Sequence, residues 1–194
     1  MPEFVVITPT FSSPGREKRL ESAIASVKSQ LFKDYIHVVI GDGPTPLARE
    51  ICEREGVMYE ERPREAESLN WGCFSKNYAI DRFDGNRYLF LDDDNVLLPK
   101  CLRTIHDVSS KDSEIIVHKT LFYNKWTDQW IILPCILPPQ RSKIDLLNFS
   151  VSQSLAKAVK FQATPEQDWF FLEECMSLVD SRYEMINEIL AVYF

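Results

Sequence analysis

Hydrophobic and polar residues follow one another along the first two thirds of the chain in blocks of two kinds. Short runs rich in Val, Ile and Phe, such as FVVITP and IHVVIG, are typical of buried β-strands. Between them lie longer segments with an apolar residue every three or four positions, which is the spacing of one face of an α-helix. In the first such segment the apolar positions are Leu20, Ile24, Val27 and Leu31. The pattern therefore predicts an alternation of strands and helices.

This alternation continues to about residue 120. The predicted strands lie at 4–9, 36–41, 57–61, 87–91 and 114–119. The predicted helices lie at 16–31, 47–55, 68–83 and 99–108. Gly56 suits the end of the second helix and Pro99 the first turn of the fourth. Strands that alternate with helices form a largely parallel sheet with helices on both faces, so the sequence predicts an α/β fold.

The last third of the chain is less regular. An aromatic and proline-rich stretch comes first and permits short strands or loops. Segments 148–161 and 165–179 then have helical spacing, and residues 185–194 contain a short strand. We therefore predict a single domain with two functional halves, residues 1–120 and residues 121–194.

Composition and charge exclude several classes of protein. The 194 residues include 22 basic and 29 acidic side chains, and a net charge of −7 without a basic stripe argues against a nucleic-acid partner. The longest apolar window, WIILPCILPP, is about half of the ~20 residues that a membrane-spanning helix needs. The N-terminus has no signal-peptide pattern, and the five cysteines form no CxxC pair. These features predict reduced thiols, no structural zinc site and a cytoplasmic location.

Polar residues follow three of the predicted strands at the point where each strand ends. Thr8, Pro9 and Thr10 end the first strand, Asp42 follows the second, and Asp92–Asp94 follow the fourth. In open α/β sheets, ligands bind beyond the carboxyl ends of the strands. These residues are therefore candidates for a binding site.

Three consecutive aspartates are the most unusual of these features. On extended backbone, Asp92 and Asp94 would face one way and Asp93 the other. Two converging carboxylates repel each other, and a divalent cation relieves that repulsion; oxygen ligands favour Mg²⁺ or Mn²⁺. The alternatives are a solvated acidic loop or a cap for the following helix. An EF-hand is excluded, because Leu97 stands where its loop needs glycine.

The order of these segments resembles that of family 2 glycosyltransferases, which have the GT-A fold. The stretch AIASVKSQ, the turn GDGP, the segment NWGCFSKNYAI and the strand YLFLDDDNVLLP follow one another as the corresponding family motifs do. The resemblance covers residues 4–102 and continues thinly to the end. Gly41 replaces the first aspartate of the family's acidic turn, and Lys76 stands at a position where the family has arginine. The resemblance implies a Rossmann-like nucleotide-diphospho-sugar transferase fold with a mostly parallel central sheet.

The resemblance also implies an activity. This is a metal-dependent, inverting transfer of a sugar from a nucleotide-diphosphate sugar, most often a UDP-sugar, to a hydroxyl of a glycan or other acceptor. Residues 1–120 would hold the donor, and residues 121–194 would form the acceptor side. Asp92 and Asp94 would ligate Mn²⁺ or Mg²⁺. The implied donor-binding residues are Thr8, Pro9, Thr10, Asp42, Lys76, Asp92 and Asp93.

The family draws its general base from a Glu-Asp pair at the start of a helix in the second half. The segment TPEQDWFFLEE resembles that region and implies that Asp168 removes the proton of the acceptor hydroxyl. Gln167 replaces the usual glutamate, so Glu166, one position earlier, is a substitute candidate. From the residues alone, the segment is also an ordinary helix N-terminus with Thr164 as its cap.

Several assignments have alternatives. Asp42 is also an ordinary turn residue, and Lys76 an ordinary residue of a solvated helix face. Many relatives place a histidine after the terminal strand, but this sequence stops at Phe194; the third metal ligand is then His106, His118, or substrate and water. Some aromatic residues can stack on an acceptor sugar or pack in the core. These are Trp126, Trp130, Trp169 and Phe170.

Two other functions fit part of the pattern. The stretch LDDDNV resembles the Asp-x-Asp motif of haloacid-dehalogenase-like phosphatases, in which the first aspartate is a nucleophile, but that motif normally opens a chain. A catalytically silent module that binds sugar nucleotides or metal would tolerate Gln167 and the missing histidine. The sequence thus predicts a glycosyltransferase and leaves these two as alternatives.

Overall fold

The computed structural model of the protein describes residues 1–64, 72–110, 113–141, 143–180 and 182–194. The strands are β1 (Phe4–Thr10), β2 (Tyr35–Asp42), β3 (Met58–Arg62), β4 (Arg87–Phe90), β5 (Val96–Leu97), β6 (Ile115–Asn124), β7 (Gln129–Leu133), β8 (Phe149–Ser152) and β9 (Tyr183–Tyr193). The helices are α1 (Arg16–Lys28), α2 (Pro46–Glu55), α3 (Cys73–Arg82), α4 (Cys101–Val108), α5 (Gln153–Ala158) and α6 (Gln167–Ser177), with a 3₁₀ turn at Leu146–Asn148. The predicted α/β fold is confirmed.

The strands form a single sheet in the order β3-β2-β1-β4-β8-β6-β9-β5, with β7 paired to β6. The first four of these strands are parallel, as the alternating pattern predicts. Beyond β4 the sheet is mixed, because β8 lies antiparallel between β4 and β6 while β9 runs parallel to β6. The carboxyl ends of β1, β2 and β4 therefore lie side by side at one edge.

Helices cover both faces of the sheet because successive residues of a strand point to opposite faces. Val5 and Ile7 of β1 pack in the core that α3, α5 and α6 cover. Phe4 and Val6 pack on the other face, against α1 and α4. The two cores fix the sheet from both sides and leave its edge of strand ends as the place where polar groups can collect.

The structure corrects two details of the predicted helices and leaves a third outside the described residues. Helix α1 ends at Lys28 rather than at residue 31, so Leu31 is 62% exposed and is not part of the buried stripe. Helix α4 begins at Cys101, two residues after Pro99. Residues 68–71 of the predicted third helix lie outside the described residues; α3 itself begins at Cys73.

The second half departs further from the prediction. Segment 148–161, which we expected to be helical, begins with strand β8, and only Gln153–Ala158 is helical. Strand β9 spans 11 residues and is longer than predicted. The division of the domain at residue 120 stays a prediction, although β6 runs across that position. In the described part of the chain, no helix combines the length and the apolar character needed to cross a bilayer.

Candidate active site

The three aspartates lie in a tight turn at the end of β4. The backbone N–H of Leu91 still donates to the carbonyl of Ile7 on β1, at 2.9 Å. The chain then turns, and the carbonyl of Asp92 accepts from the N–H of Asn95, at 3.1 Å. The alternation that we predicted for extended backbone does not apply here, so the direction of each carboxylate follows from its partners.

Asp93 is buried between the end of β1 and the start of α1. Only 1% of Asp93 is exposed. Its Oδ2 accepts from the hydroxyl of Thr10 at 2.6 Å, and its Oδ1 accepts from the guanidinium of Arg16. Burial raises the pKa of Asp93, while the Thr10 hydrogen bond and the Arg16 charge oppose that rise. Both oxygens therefore tie the turn to the framework, and this use competes with the predicted role in donor binding.

Asp92 and Asp94 are more open. Asp92 Oδ1 lies 3.8 Å from Lys76 Nζ, and Asp94 Oδ2 lies 3.6 Å from Arg19 Nη1. Their side chains are 38% and 27% exposed, respectively. Burial and then the charge of Asp92 raise the pKa of Asp94, against the pull of Arg16 and Arg19. The two carboxylates therefore lie close enough to repel, which is the situation that a bound divalent cation would relieve.

The donor set at this turn fits a cation only in part. Within the described ranges, no group of three His, Cys, Asp or Glu side chains is arranged to hold a metal ion. His118 is fully buried, and burial lowers its pKa to about 4. His106 stacks on Phe32, with ring centres 4.3 Å apart. A cation at Asp92 and Asp94 would therefore need further oxygens from substrate or water.

The other predicted donor-site residues differ in what their side chains can reach. Thr8 is fully buried, and its hydroxyl shares a 2.9 Å hydrogen bond with Nε2 of His37, so the side chain faces the core. Asp42 lies at the end of β2 and forms a buried ion pair with Arg62. The guanidinium of Arg62 lies 5.1 Å from the centre of the Phe74 ring. Asp42 thus lies at the carboxyl edge of the sheet, whereas Thr8 can contribute only its backbone there.

Gly72 sets the direction in which α3 leaves this edge. Its φ of +79° is a left-handed value that favours glycine, and an added Cβ would lie 3.0 Å from the side chain of Pro9. The carbonyl of Gly72 accepts from the N–H of Lys76, at 3.0 Å. This close approach of α3 to β1 places Lys76 one turn into the helix, against the sheet.

Lys76 lies inside the protein rather than on a solvated helix face, so that alternative is wrong. The residue is 1% exposed, and its ammonium lies 5.3 Å from the centre of the Phe161 ring. Besides its contact with Asp92, its charge lowers the pKa of Asp145 and of Asp168. The buried ammonium of Lys76 therefore interacts with three carboxylates from different parts of the chain.

Asp168 lies in the first turn of α6, where the prediction placed it. Its Oδ2 accepts from the backbone N–H of Leu146 at 3.2 Å. Its Oδ1 is shielded from solvent and has no hydrogen-bond partner among the described residues. Burial raises the pKa of Asp168, Lys76 lowers it, and Asp92 raises it again. The fold thus brings Asp168 near Asp92, 76 positions earlier in the chain.

Glu166 and Thr164 do not take the positions that we expected for them. Glu166 is the residue before α6 and forms an exposed ion pair with Arg141, with one bond of 3.0 Å. That pair lowers the pKa of Glu166. Thr164 contributes its carbonyl to the N–H of Gln167, at 3.1 Å, and its side chain does not cap the helix. Glu166 therefore has a partner of its own outside the group around Lys76.

Asp145 belongs to the site, although sequence reasoning did not select it. Its Oδ1 accepts from the N–H of Leu147 at 2.9 Å, and its own N–H donates to Asn148 Oδ1 at 2.9 Å. Burial, followed by the charge of Asp168, raises the pKa of Asp145 to about 7, and Asp92 acts in the same direction. The reciprocal Asp-x-x-Asn capping pattern was the available signal in the sequence.

Strand β9 closes the remaining side of the site. Burial raises the pKa of Tyr193 to about 12, and four carboxylates add to the rise. They are Asp145, Asp94, Asp92 and Asp168. The effect of these four carboxylates on Tyr193 indicates that the aspartate turn, Asp145 and the candidate base lie around one region.

The aromatic candidates separate into exposed and packed residues. Trp126 is 97% exposed at the tip of the β6–β7 hairpin. Trp130 is 50% exposed, and its ring lies 5.9 Å from that of Phe194. Trp169 is partly buried beside Asp168, whereas the Phe170 ring lies under Arg141, 5.6 Å away. Stacking on an acceptor sugar stays a prediction for all of them.

Comparison with known proteins identifies the family of this chain. The family model described as glycosyl transferase family 2 matches residues 5–153, which include the aspartate turn and Asp145. The chain belongs to glycosyltransferase family 2. Asp168 lies beyond the matched range, so its assignment depends on the geometry described above.

Similar proteins are longer than this chain. A GalNAc(5)-diNAcBac-PP-undecaprenol β-1,3-glucosyltransferase of Campylobacter jejuni is 31% identical over 110 residues, which cover 54% of this chain and 34% of that protein. The structure of S. aureus TarS superposes with a TM-score of 0.78 at 15% identity and covers 98% of this chain and 36% of TarS. The mannosyltransferase PcManGT from Pyrobaculum calidifontis, in complex with GDP-Man and Mn²⁺, has a TM-score of 0.68 at 11% identity, over 98% of this chain and 56% of PcManGT. The predicted GT-A fold is confirmed, and the chain spans only part of each relative.

Proposed function

We propose that this chain carries the catalytic site of a metal-dependent, inverting glycosyltransferase. It would take a sugar from a nucleotide-diphosphate sugar, most simply a UDP-sugar, and pass it to a hydroxyl of a glycan or other acceptor. The observation that carries this proposal is the convergence of Asp92, Asp94 and Asp168 near Lys76 at the carboxyl edge of the sheet. Complexes of TarS with UDP and with UDP-GlcNAc, and of PcManGT with GDP-Man and Mn²⁺, support the class of donor.

Asp92 and Asp94 would hold Mn²⁺ or Mg²⁺. They offer oxygen ligands only, they are partly exposed, and they repel each other without a cation. When bound by these two residues, the ion would supply Lewis-acid stabilisation of the diphosphate leaving group. Asp42 and the ends of β1 would border the nucleotide, as the family resemblance implies.

Asp168 would act as the general base. The acceptor oxygen attacks the anomeric carbon while the bond from that carbon to the diphosphate oxygen breaks, and the bonding pair leaves with the diphosphate. The proton of the acceptor hydroxyl passes to Asp168 Oδ1, because Oδ2 is held by the N–H of Leu146. Attack opposite the leaving group inverts the anomeric configuration. Since Oδ1 is shielded, an acceptor reaches it only when neighbouring groups give way.

A catalytically silent module that binds nucleotide sugars is the second candidate. It is favoured by one observation, namely that the described residues provide no third metal-ligating side chain at the aspartate turn. The phosphatase alternative gains no support, because the match to glycosyltransferase family 2 covers the motif on which it depends.

A thermal-shift screen tests the proposal. UDP-glucose, UDP-GlcNAc and GDP-mannose are each added with and without Mn²⁺, and release of UDP or GDP is followed in parallel. We expect one nucleotide sugar together with Mn²⁺ to raise the melting temperature more than either alone, because a ligand that binds only the folded state stabilises it. We also expect slow release of the nucleotide. Stabilisation without release would favour the silent module, and no stabilisation by any pair would contradict the proposal.

A further inference from the structure

The turn that precedes β8 holds the carboxylate of Asp168. The first N–H groups of a helical turn have no partner within the turn and point away from it. Here the N–H of Leu146 donates to Asp168 Oδ2 at 3.2 Å, and the next one, of Leu147, donates to Asp145 Oδ1 at 2.9 Å. One turn therefore binds two carboxylates side by side.

The turn itself is firmly anchored. Leu146 packs in the core on one face of the sheet, and Leu147 packs in the core on the other face. The N–H of Asp145 donates to Asn148 Oδ1 at 2.9 Å, which closes the reciprocal capping arrangement. With both leucines buried and the capping box closed at the start of the turn, the N–H of Leu146 has a fixed direction.

This fixed N–H determines how Asp168 is oriented. The terminal torsion of an aspartate is broad, so packing alone selects a carboxylate orientation poorly. The bond from Leu146 selects Oδ2 and leaves Oδ1 without a partner among the described residues. In a group-transfer reaction, a displacement of about 1 Å can reduce the rate by about a hundredfold.

We propose that Asp145 is a positioning residue for Asp168. By capping the turn at Leu147, it fixes the neighbouring N–H of Leu146 and, through it, the carboxylate that takes the acceptor proton. This inference rests on the proposed function, because it requires Asp168 to be the base. Asp145 itself touches the turn and not the reacting atoms.

The test compares substitutions that keep or remove the cap. The full chain is assayed for nucleotide release with Mn²⁺ and the nucleotide sugar selected by the screen. We expect Asp145→Ala to lower kcat about tenfold or more and to leave KM for the nucleotide sugar within about twofold, because the proposed role of Asp145 is to orient the base through the turn and not to bind the donor. Asp145→Asn, whose amide oxygen can still accept from Leu147, should restore kcat to within about threefold of the original.

Two further variants guard against a purely structural effect. Asp145→Gly removes the capping oxygen at a small cost in stability, so it replaces Asp145→Ala if that variant does not fold. Ser152→Ala removes the cap of α5, because the hydroxyl oxygen of Ser152 accepts from the N–H of Leu155 at 3.4 Å. It should lower the melting temperature and leave kcat unchanged.

The outcomes separate this inference from the function on which it rests. If Asp145→Gly has the original kcat, or if Asp145→Asn loses as much as Asp145→Gly, positioning through the cap is wrong. Asp168→Asn is measured alongside them. Normal turnover of Asp168→Asn would overturn the proposed function itself, whereas a dead Asp168→Asn beside a fully active Asp145→Gly would overturn only the role of Asp145.

Discussion

Two groups of carboxylates lie at the same edge of the sheet, and their surroundings differ. In the first group, on the side of α1 and β3, each carboxylate has an arginine partner. These pairs are Asp42 with Arg62, Asp93 with Arg16 and, more loosely, Asp94 with Arg19. In the second group, on the side of α6, three carboxylates lie around one lysine. They are Asp92, Asp145 and Asp168, with Lys76.

Under the proposed function, this difference separates the acids that hold the framework from those that take part in the reaction. A carboxylate with its own guanidinium is neutralised, and it ties neighbouring elements together. In the second group, carboxylates share one cation and raise one another's pKa, as Asp168 does for Asp145 and Asp92 does for Asp168, and such crowding is typical of functional sites. Asp94 stands between the groups, since its arginine is 3.6 Å away and mostly exposed.

Removing Asp94 should show the largest effect on donor binding. We expect Asp94→Ala to weaken binding of the nucleotide sugar in Mn²⁺ by at least about tenfold, because a metal ligand is lost. Without Mn²⁺ the affinity should change little. Isothermal titration with and without the metal measures both values. Equal affinity of Asp94→Ala and the original chain in Mn²⁺ would assign Asp94 to the framework group.

Two arginine substitutions compare a buried pair with an exposed one. Arg16→Met leaves Asp93 buried without its counter-charge, and we expect a loss of about 3 kcal/mol in the free energy of unfolding. Arg19→Met is the matched control, and its exposed 3.6 Å pair should contribute less than about 1 kcal/mol. Urea denaturation measures both. Similar losses for the two variants would remove the distinction between buried framework pairs and loose ones.

Lys76→Met should change the pH dependence of turnover more than its maximum. The Lys76 charge lowers the pKa of Asp168, so its removal raises that pKa. Because a base acts only when it is deprotonated, the acid limb of the kcat profile should move to higher pH, with a greater loss at pH 6 than at pH 8. Kinetics at saturating donor and Mn²⁺ measure the shift. An unchanged acid limb would show that Lys76 does not act on the base.

The parallel part of the fold could be predicted because its signals are local. Strands β1, β2 and β4 are short, buried and largely apolar runs, and polar residues stand where each of them ends. In α1, the stripe of Leu20, Ile24 and Val27 is buried as predicted, but Leu31 is not. The helix ends first, since apolar spacing does not report where the backbone stops being helical.

The mixed part of the sheet could not be predicted in the same way. Strand β8 inserts between β4 and β6, and a local pattern does not specify partners so distant in sequence. Its buried Ser150 also lacks the apolar character that marks a central strand. Because Gln153–Ala158 has helical spacing, the predicted helix starts at residue 148 and includes the residues that form β8.

The candidate site could be predicted only in part, because local sequence patterns do not show which distant residues come together. The aspartate turn stood out because three adjacent carboxylates are rare, and Asp168 because of its family resemblance. The relation between Asp145 and Asp168 has no local signal in the sequence. The two residues are 23 positions apart, and the link between them is the hydrogen bond from the backbone N–H of Leu146 to Asp168. The burial of Lys76 follows from the close contact of Gly72 with Pro9, which spacing does not reveal.

One pair of matched substitutions tests the central claim most directly. Asp168→Asn and Asp93→Asn each replace one shielded carboxylate with an amide, the first in the group around Lys76 and the second in the arginine-paired group. Nucleotide release and donor binding are measured for both in Mn²⁺, per folded molecule. We predict that Asp168→Asn binds the donor but releases nucleotide at least about a hundredfold more slowly, and that Asp93→Asn keeps its turnover. Normal turnover by Asp168→Asn would contradict the account.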